Sequence, residues 1–571
     1  MRELWDRTGC IEEQLEELGE NGVRFEAPQP IPEQGPVGVT VYWPLDGEHH
    51  ELRVVFGDLF PFFPPTVFAP GWDLPYHQNP LDKNLCLLGR ESEFHPRSDT
   101  LYAFLTERLG AVRDTARSTD VEELRDREDQ QAEPITAYYD YAPGMLVIDG
   151  TWVIPDDEEA GVLVVGANQP NLPTGTMVVK TVKGRGGRVL YELDEELSAD
   201  FGVQWTGRWV RLAEHLREPD SEKYWEHLLE MAPSARPPTN RGTDMAGRPA
   251  TQEVVMVLAP EEGGWRGKPG QGWVGLTRIK HKGKPATSAF LRVGRSGRGD
   301  LAERVPELVD LPHRSVVVVG LGCIGAPLAL GLAQAGVGSL GLVDGDFVDP
   351  ATAVRWPLGL SVAGRLKEDV LSGFIRRQYP FSNAEPVQRG MRLGSATAPE
   401  QLKDFYNRVS AADLLVDATA DLTVQHFSSQ VARGLGVPYL AIGGMRGGWG
   451  GWLIRIRPGE TGGCWACART FLVDEGKEPP AAGLEEGMIQ PQGCADRTFL
   501  GAGVDMSFIA LSSTRAAFEV LADGYPNVDW DVQTIALRDP RGAGCLPQVK
   551  GYSLARGEGC PACDWFERRS G

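Results

Sequence analysis

Val316-Val-Val-Val-Gly320-Leu-Gly322-Cys-Ile-Gly325-Ala-Pro-Leu328 reads as a buried strand running into a G-x-G-x-x-G turn and then a helix. Four consecutive valines suit a strand covered on both faces, and Leu328, Leu332 and Ala335 then return at helical spacing. Glycines at 320, 322 and 325 let backbone N–H groups and a helix N-terminus approach phosphate. A second strand ends at Leu342-Val343-Asp344, which puts a carboxylate 19 positions past Gly325, where it can accept from ribose hydroxyls. The 28 residues from Val316 to Val343 carry no charge and would span a membrane on length alone. Seven of them are glycines at turn positions, so strand, turn, helix and strand is the better reading. From about Leu301 onward strands and helices alternate, which implies a largely parallel sheet.

Around this segment the chain has 571 residues, enough for three or four domains, and 42% hydrophobic residues suffice for several cores. With 57 Lys+Arg against 79 Asp+Glu the net charge is −22, which argues against nucleic-acid and anionic-membrane partners, because both need clustered positive charge. Met1-Arg-Glu-Leu-Trp-Asp lacks the pattern of a secretory signal, so a cytoplasmic chain is expected. Its nine cysteines are then thiols, metal ligands or nucleophiles rather than disulfides.

Three domains are expected: 1–133, 134–300 and 301–571. In the first, Ile11, Leu15 and Leu18 predict a helix. Val37, Val39, Val41 and Trp43 alternate, as do Leu52, Val54 and Phe56, on either side of a turn at Leu45-Asp46-Gly47. A proline-rich stretch, an irregular segment around Cys86 and a helix carrying Leu101, Phe104, Leu105, Leu109 and Val112 complete an α+β domain. The charge-dense run Asp120 to Glu133 reads as a solvated helix end or linker. The second domain shows short β runs at Met145 to Ile148, Gly161 to Val165, Met177 to Val182 and Glu253 to Leu258, and one helix near Tyr224 to Met231. It carries no motif with chemistry, so a docking or spacer role is expected.

Cys464-Trp-Ala-Cys467 and Cys560-Pro-Ala-Cys563 are two CxxC pairs whose four thiolates can close a tetrahedral zinc shell. Two separate pairs or a redox motif are the other readings of this spacing. Cys10 and Cys323 read as small packing residues. Cys494, in the polar loop Gln490-Pro-Gln-Gly493-Cys494, lies just ahead of an apolar helix, where a thiolate is favoured. Cys545, in Gly542-Ala-Gly-Cys, is the alternative nucleophile.

Asp344-Gly-Asp346-Phe-Val348, Arg355 and Gly364-Arg-Leu-Lys367 together resemble the ATP-binding signature of the ThiF/MoeB/ubiquitin-activating superfamily. The resemblance implies a Rossmann-like adenylation domain that uses ATP and Mg²⁺. The glycine turn and Asp344 to Asp346 would hold the nucleotide, Arg355 and Lys367 the triphosphate, and Asp421, with Asp417 as its rival, the magnesium. Thr352 stands where that family has Asn. The superfamily also has a split Cys₄ zinc site and a thioester-forming cysteine in a loop comparable to that of Cys494.

In the first domain Pro61-Phe-Phe-Pro-Pro-Thr-Val-Phe68, His77-Gln78-Asn79, Leu85-Cys86-Leu87 and Phe94-His-Pro96 resemble the ubiquitin-conjugating fold, with Gln78 and Phe94 in place of that family's Pro and Trp. This implies Cys86 as a second thioester cysteine and Asn79 as its oxyanion donor. The whole order resembles bacterial conjugating/activating fusions of CBASS antiphage and ubiquitin-like conjugation operons. It implies activation of a protein's C-terminal tail, from a nucleotidyltransferase or a ubiquitin-like protein, transfer from Cys494 to Cys86, and ligation to an acceptor amine by a homodimer. A ThiF-like sulfur-carrier activator with a noncatalytic N-terminal docking domain is the alternative.

Overall fold

The computed structural model describes residues 7–30, 35–88, 99–126, 130–167, 175–193, 201–243, 247–489 and 498–570. Phe94, His95, Pro96 and residues 490–497, Cys494 among them, lie outside the described residues. The chain divides into two compact units, one of Met1–Asp194 and Ser198–Arg295, the other of Glu195–Leu197 and Ser296–Gly571.

The first unit opens with helix Arg7–Glu20, which buries Ile11, Leu15 and Leu18 as their spacing predicts. Strands Val37–Leu45 and Glu48–Phe56 pair in the register Val39↔Val54 and Val41↔Leu52. Asp46 and Gly47 join them with φ of 53° and 83°, the left-handed pair that a tight hairpin turn requires. Thr66–Phe68 adds the next strand. Helix Leu101–Arg117 starts at Thr100, whose hydroxyl accepts from Ala103 N–H at 3.2 Å, and lays Leu101, Phe104, Leu105 and Leu109 on the core formed by Val41, Leu52 and Phe56. The charge-dense run that follows forms the short helix Val121–Asp126.

The rest of this unit is built on a ring of strands. Val203–Arg211 pairs with Ala160–Ala167, then come Thr176–Lys183, Tyr141–Ile148, Ala286–Arg295, Pro269–His281 and Pro249–Glu262, which pairs back onto Val203–Arg211. Val254, Met256 and Leu258 enter one apolar cluster with Leu146, Leu163 and Trp209. Val255 and Val257, on the opposite face of the same strand, meet Tyr224, Trp225 and Leu228 of helix Ser221–Met231. Pro269–His281 escapes the sequence pattern because glycines interrupt its alternation. One is required: a Cβ at Gly275 would lie 2.9 Å from the backbone oxygen of Leu291.

The second unit holds an eight-stranded sheet in the order Asn383–Pro386, Ser339–Val343, Ser315–Val319, Leu414–Asp417, Tyr439–Gly444, Gly450–Ile456, Val532–Arg538, Gly544–Tyr552. The first five are parallel and the last three antiparallel. Val316 and Val318 pack with helices Gly325–Gln334, Lys367–Gln378 and Gly503–Leu521, while Val317 and Val319 pack with Pro399–Ser410, Leu422–Leu435 and Trp465–Asp474. Helices on both faces explain the unbroken valine run and make the unit a doubly wound, Rossmann-like α/β fold. Strand, turn, helix and strand therefore account for the uncharged stretch 316–343. Among the described residues no helix is long and apolar enough to cross a membrane.

Candidate functional site

The carboxyl ends of Ser315–Val319, Ser339–Val343 and Leu414–Asp417 converge where strand order reverses, the place at which open α/β sheets bind ligands. Gly320 turns the chain there with φ 85°, and a Cβ on it would meet Thr419 N at 2.7 Å. A Cβ at Gly325 would lie 1.8 Å from Gly320 O, so the helix start closes tightly on the strand end. At Gly322 the same test finds nothing within 4 Å. The open side of the turn is therefore at Gly322, in front of helix Gly325–Gln334, whose N-cap Ile324 supplies no side-chain acceptor to the first N–H groups.

A cavity of about 210 Å³ lies at this turn, lined by Gly322, Cys323, Thr352, Arg355, Trp356, Lys367, Thr419 and Gly444 among others. Asp344 Oδ2 accepts from Leu321 N–H at 2.7 Å and Oδ1 from Asp346 N–H at 2.8 Å, so its carboxylate ties the turn to the second strand. Burial pushes the Asp344 carboxyl above its ordinary value, and the Lys367 ammonium, 3.7 Å away, opposes that. Lys367 Nζ also donates to Asp346 Oδ2 at 3.2 Å. The structure brings Asp344, Asp346 and Lys367 together, and Arg355 lines the same cavity as Lys367. Arg392, which no sequence pattern marks, forms an ion pair with Asp346. Trp356 donates from Nε1 to Leu321 O at 2.9 Å and floors the turn.

The two magnesium candidates occupy different surroundings. Asp417 is fully buried; its Oδ1 accepts from Thr419 N–H and hydroxyl at 3.1 and 2.6 Å, and burial lifts its pKa to about 6. Asp421 is exposed and caps helix Leu422–Leu435, its Oδ1 accepting from Thr423 and Val424 N–H at 2.8 and 3.1 Å. Oδ2 of Asp421 is the oxygen left over from capping, which suits a hydrated cation that needs one carboxylate.

Cys464, Cys467, Cys560 and Cys563 are all buried, with their Sγ atoms within 4.8 Å of one another. The separations of 3.7 Å for Cys464–Cys467, 3.7 Å for Cys464–Cys560 and 3.8 Å for Cys467–Cys563 match the edge of about 3.8 Å in a tetrahedron with Zn–S bonds of about 2.3 Å. They are far too long for disulfides. Burial holds the Cys464 thiol well above its ordinary pKa, so a cation is needed to draw off its proton. Gly557 N–H donates to Cys467 Sγ at 3.2 Å, a supporting bond of the kind that orients metal ligands. These residues fit zinc, in a closed shell that leaves no position for substrate.

Of the nucleophile candidates, Cys545 is half-buried on the sheet-edge strand Gly544–Tyr552. Cys494 lies outside the described residues, between Ile489 and Thr498 in sequence, and those two pair with each other. Cys10 packs against the first core and Cys323 is half-buried in the glycine turn.

In the first unit Cys86 is exposed, and its N–H donates to His77 O at 2.8 Å beside the bridge Gln78↔Leu85. Asn79 Oδ1 accepts from Leu81 N–H at 2.9 Å, which turns the carboxamide so that its NH₂ is the end left to donate. Gln78 is buried and clamps the segment, accepting from Leu74 N–H at 2.8 Å and donating to Ala69 O at 3.0 Å.

Residues 301–519 match the model of the ThiF family. Along nearly its whole length the chain is 28% identical to protein y4oA of Sinorhizobium fredii, over 569 residues covering 93% of this chain and 92% of that one. A second protein of that organism, y4qC, is 28% identical over 533 residues, 88% of each chain. The adenylyltransferase and sulfurtransferase uba4 of Aspergillus terreus is 32% identical over 205 residues, 34% of this chain and 37% of that protein. Among solved structures, E. coli MccB with AMPCPP and MccA aligns with a TM-score of 0.34 at 18% identity, over 45% of this chain and 69% of that one. The C-terminal region of this chain carries a ThiF-family adenylation domain.

Proposed function

We propose that this chain activates the C-terminal carboxylate of a protein with ATP and passes it, as a thioester, from Cys494 to Cys86 and then to an acceptor amine. The observation that carries the reading is the cleft at Gly322, where an open helix N-terminus, Arg355 and Lys367 line one cavity and Lys367 lies 3.7 Å from Asp344. There the turn and the two cations would hold the triphosphate, Asp344 and Asp346 the ribose side, and Asp421 the Mg²⁺; phosphate charge developing at the transition state is what such donors stabilise. A carboxylate is a poor acyl donor, and adenylation with loss of pyrophosphate makes it a good one. Cys494 thiolate then displaces AMP, Cys86 thiolate takes the acyl group, and the amine attacks with Asn79 NH₂ on the tetrahedral oxyanion. The four-cysteine site is structural zinc.

In this reading the chain acts as a homodimer in bacterial antiphage defence, on a nucleotidyltransferase or ubiquitin-like tail. A sulfur-carrier activator is the second reading, favoured by the uba4 similarity, and in it Cys86 is dispensable. The test is ATP–pyrophosphate exchange with candidate proteins encoded beside this one, followed by nonreducing gels. Exchange that needs an intact C-terminal tail, with reducible adducts at Cys494 and Cys86, is expected; exchange with no adduct at Cys86 would pass the case to the second reading.

A further inference from the structure

The segment between strand Asn383–Pro386 and helix Pro399–Ser410 passes beside the acidic end of the second strand of the cleft. Two carboxylates in the first turn of helix Lys367–Gln378 hold it there. Glu368 is fully buried and its Oε1 accepts from Gly390 N–H at 2.6 Å, while Asp369 Oδ2 accepts from Arg389 Nε–H at 2.9 Å. Burying a carboxyl group is unfavourable unless it is hydrogen-bonded, so the bond to Gly390 fixes the segment closely. Gly345, between Asp344 and Asp346, admits the approach: a Cβ there would lie 2.9 Å from Gly390 O and 3.1 Å from Arg392 Cβ. The approach delivers Arg392, which pairs with Oδ1 of Asp346. Asp346 therefore serves two cations, because its Oδ2 accepts from Lys367 Nζ at 3.2 Å. Asp344 does not take over the second of these: its oxygens accept from Leu321 and Asp346 N–H, and Lys367 stands 3.7 Å from it, beyond hydrogen-bond length. Lys367 lines the cavity at the glycine turn and Arg392 does not, so Arg392 reaches the lysine of the cavity through Asp346.

We propose that Arg392 is a positioning residue of the nucleotide site: by holding Asp346 it releases Lys367 to the triphosphate. This rests on the adenylation reading, in which ATP occupies the cleft. In the arrangement described, Asp346 is the carboxylate that Lys367 hydrogen-bonds. A triphosphate at Gly322 draws the ammonium off that carboxylate, and Asp346 is then an anion close to further anions. Like charges at such short range repel even near a protein surface. Arg392 keeps Asp346 compensated after Lys367 has turned to the phosphates, and a guanidinium holds its charge at every physiological pH. The Arg392 side chain is 71% exposed and that of Asp346 50% exposed, so the pair adds little to folding. Its consequence lies in the charge balance of the site. Glu368, Asp369 and Gly345 serve this by fixing the segment from which Arg392 reaches in.

Calorimetric titration of the full chain with ATP and with AMP, both in magnesium, tests this. AMP has the same base and ribose but lacks the two outer phosphates. Arg392→Met keeps the stem beside Gly345 and removes the charge, so ATP affinity should fall about fivefold, the size of an exposed ion pair's effect, and AMP affinity less than about twofold. Arg392→Lys should recover most of the loss. Asp346→Asn keeps an oxygen for the ribose and removes the anion that competes for Lys367, so adding Arg392→Met to that variant should lower ATP affinity by less than about twofold. Unchanged ATP affinity in Arg392→Met, equal losses for ATP and AMP, no recovery by Arg392→Lys, or the full fivefold loss in the Asp346→Asn background would each overturn the proposal while leaving the nucleotide site standing. A parent chain that binds no ATP would refute the nucleotide site itself, and the proposal with it.

Discussion

Cys467 Sγ stands 3.8 Å from Cys563 Sγ although 96 residues separate them in sequence. The contact ties helix Pro561–Ser570 to helix Trp465–Asp474, and four buried thiols at this spacing fit a shared cation. Metal analysis of purified chain should find one zinc per molecule. Structural zinc contributes about 10–16 kcal/mol in small fingers, so Cys560→Ser or prolonged chelation should leave the end of the second unit open to proteolysis while helix Gly325–Gln334 stays protected. Zinc-free protein with an unchanged cleavage pattern counts against the site.

Gly322 and Gly325 should separate binding from folding. Gly322→Ala adds a methyl into open space, so the melting temperature should hold while ATP affinity falls about tenfold or more, equivalent to about 1.4 kcal/mol. Gly325→Ala drives Cβ to within 1.8 Å of Gly320 O and should lower the melting temperature by about 5 °C or more. Calorimetry with and without ATP measures both; a Gly322→Ala protein that binds ATP like the parent would remove the phosphate from that turn.

The fully buried Asp417 gives the second unit a definite pH dependence. Its pKa rises from 3.8 to about 6 on folding, so between those values the folded state holds the extra proton. Stability is then highest below pH about 4 as far as this group is concerned, and falls as pH rises through about 6, by about 3 kcal/mol. Asp417→Asn should remove that fall. Denaturant midpoints taken without added magnesium or chelator across the window provide the check, and parent and variant curves of equal slope would assign the titration elsewhere.

The sheet and cleft of the second unit were legible because each depends on local chemistry. A valine run buried on both faces, glycines where backbone must approach backbone, and an acid at a strand end all show in consecutive residues. Each CxxC motif shows in consecutive residues, but joining the two into one site rested on the family resemblance, because only the fold brings the four thiols together. The strand ring was legible only in part: Gly272 and Gly275 suit close packing but break the alternation of Pro269–His281. Arg392 was hidden for a different reason. Among 57 Lys+Arg its guanidinium is one of many, and only the fold brings it onto Asp346. Gln78 likewise reads as a departure from a motif, yet it supplies two hydrogen bonds that a proline could not make.

The order of the two thioesters is the last and most decisive expectation. Cys86 is exposed and the Asn79 Oδ1 is engaged by Leu81 N–H, which leaves its NH₂ as the donor for a step after activation. Cys86→Ala should therefore keep ATP–pyrophosphate exchange and a reducible adduct at Cys494, yet form no amide product. Cys494→Ala should keep exchange and show no adduct at either cysteine, because in the proposed order the acyl group reaches Cys86 only from Cys494. Asn79→Ala should form both adducts at parental rates and lose about 10²–10³ in the amide-forming step, the cost of one missing oxyanion donor. Single-turnover gels with and without reductant resolve the three variants. Full amide yield from Cys86→Ala would reduce the first domain to a docking module, and an adduct at Cys86 in the Cys494→Ala protein would make the first cysteine unnecessary.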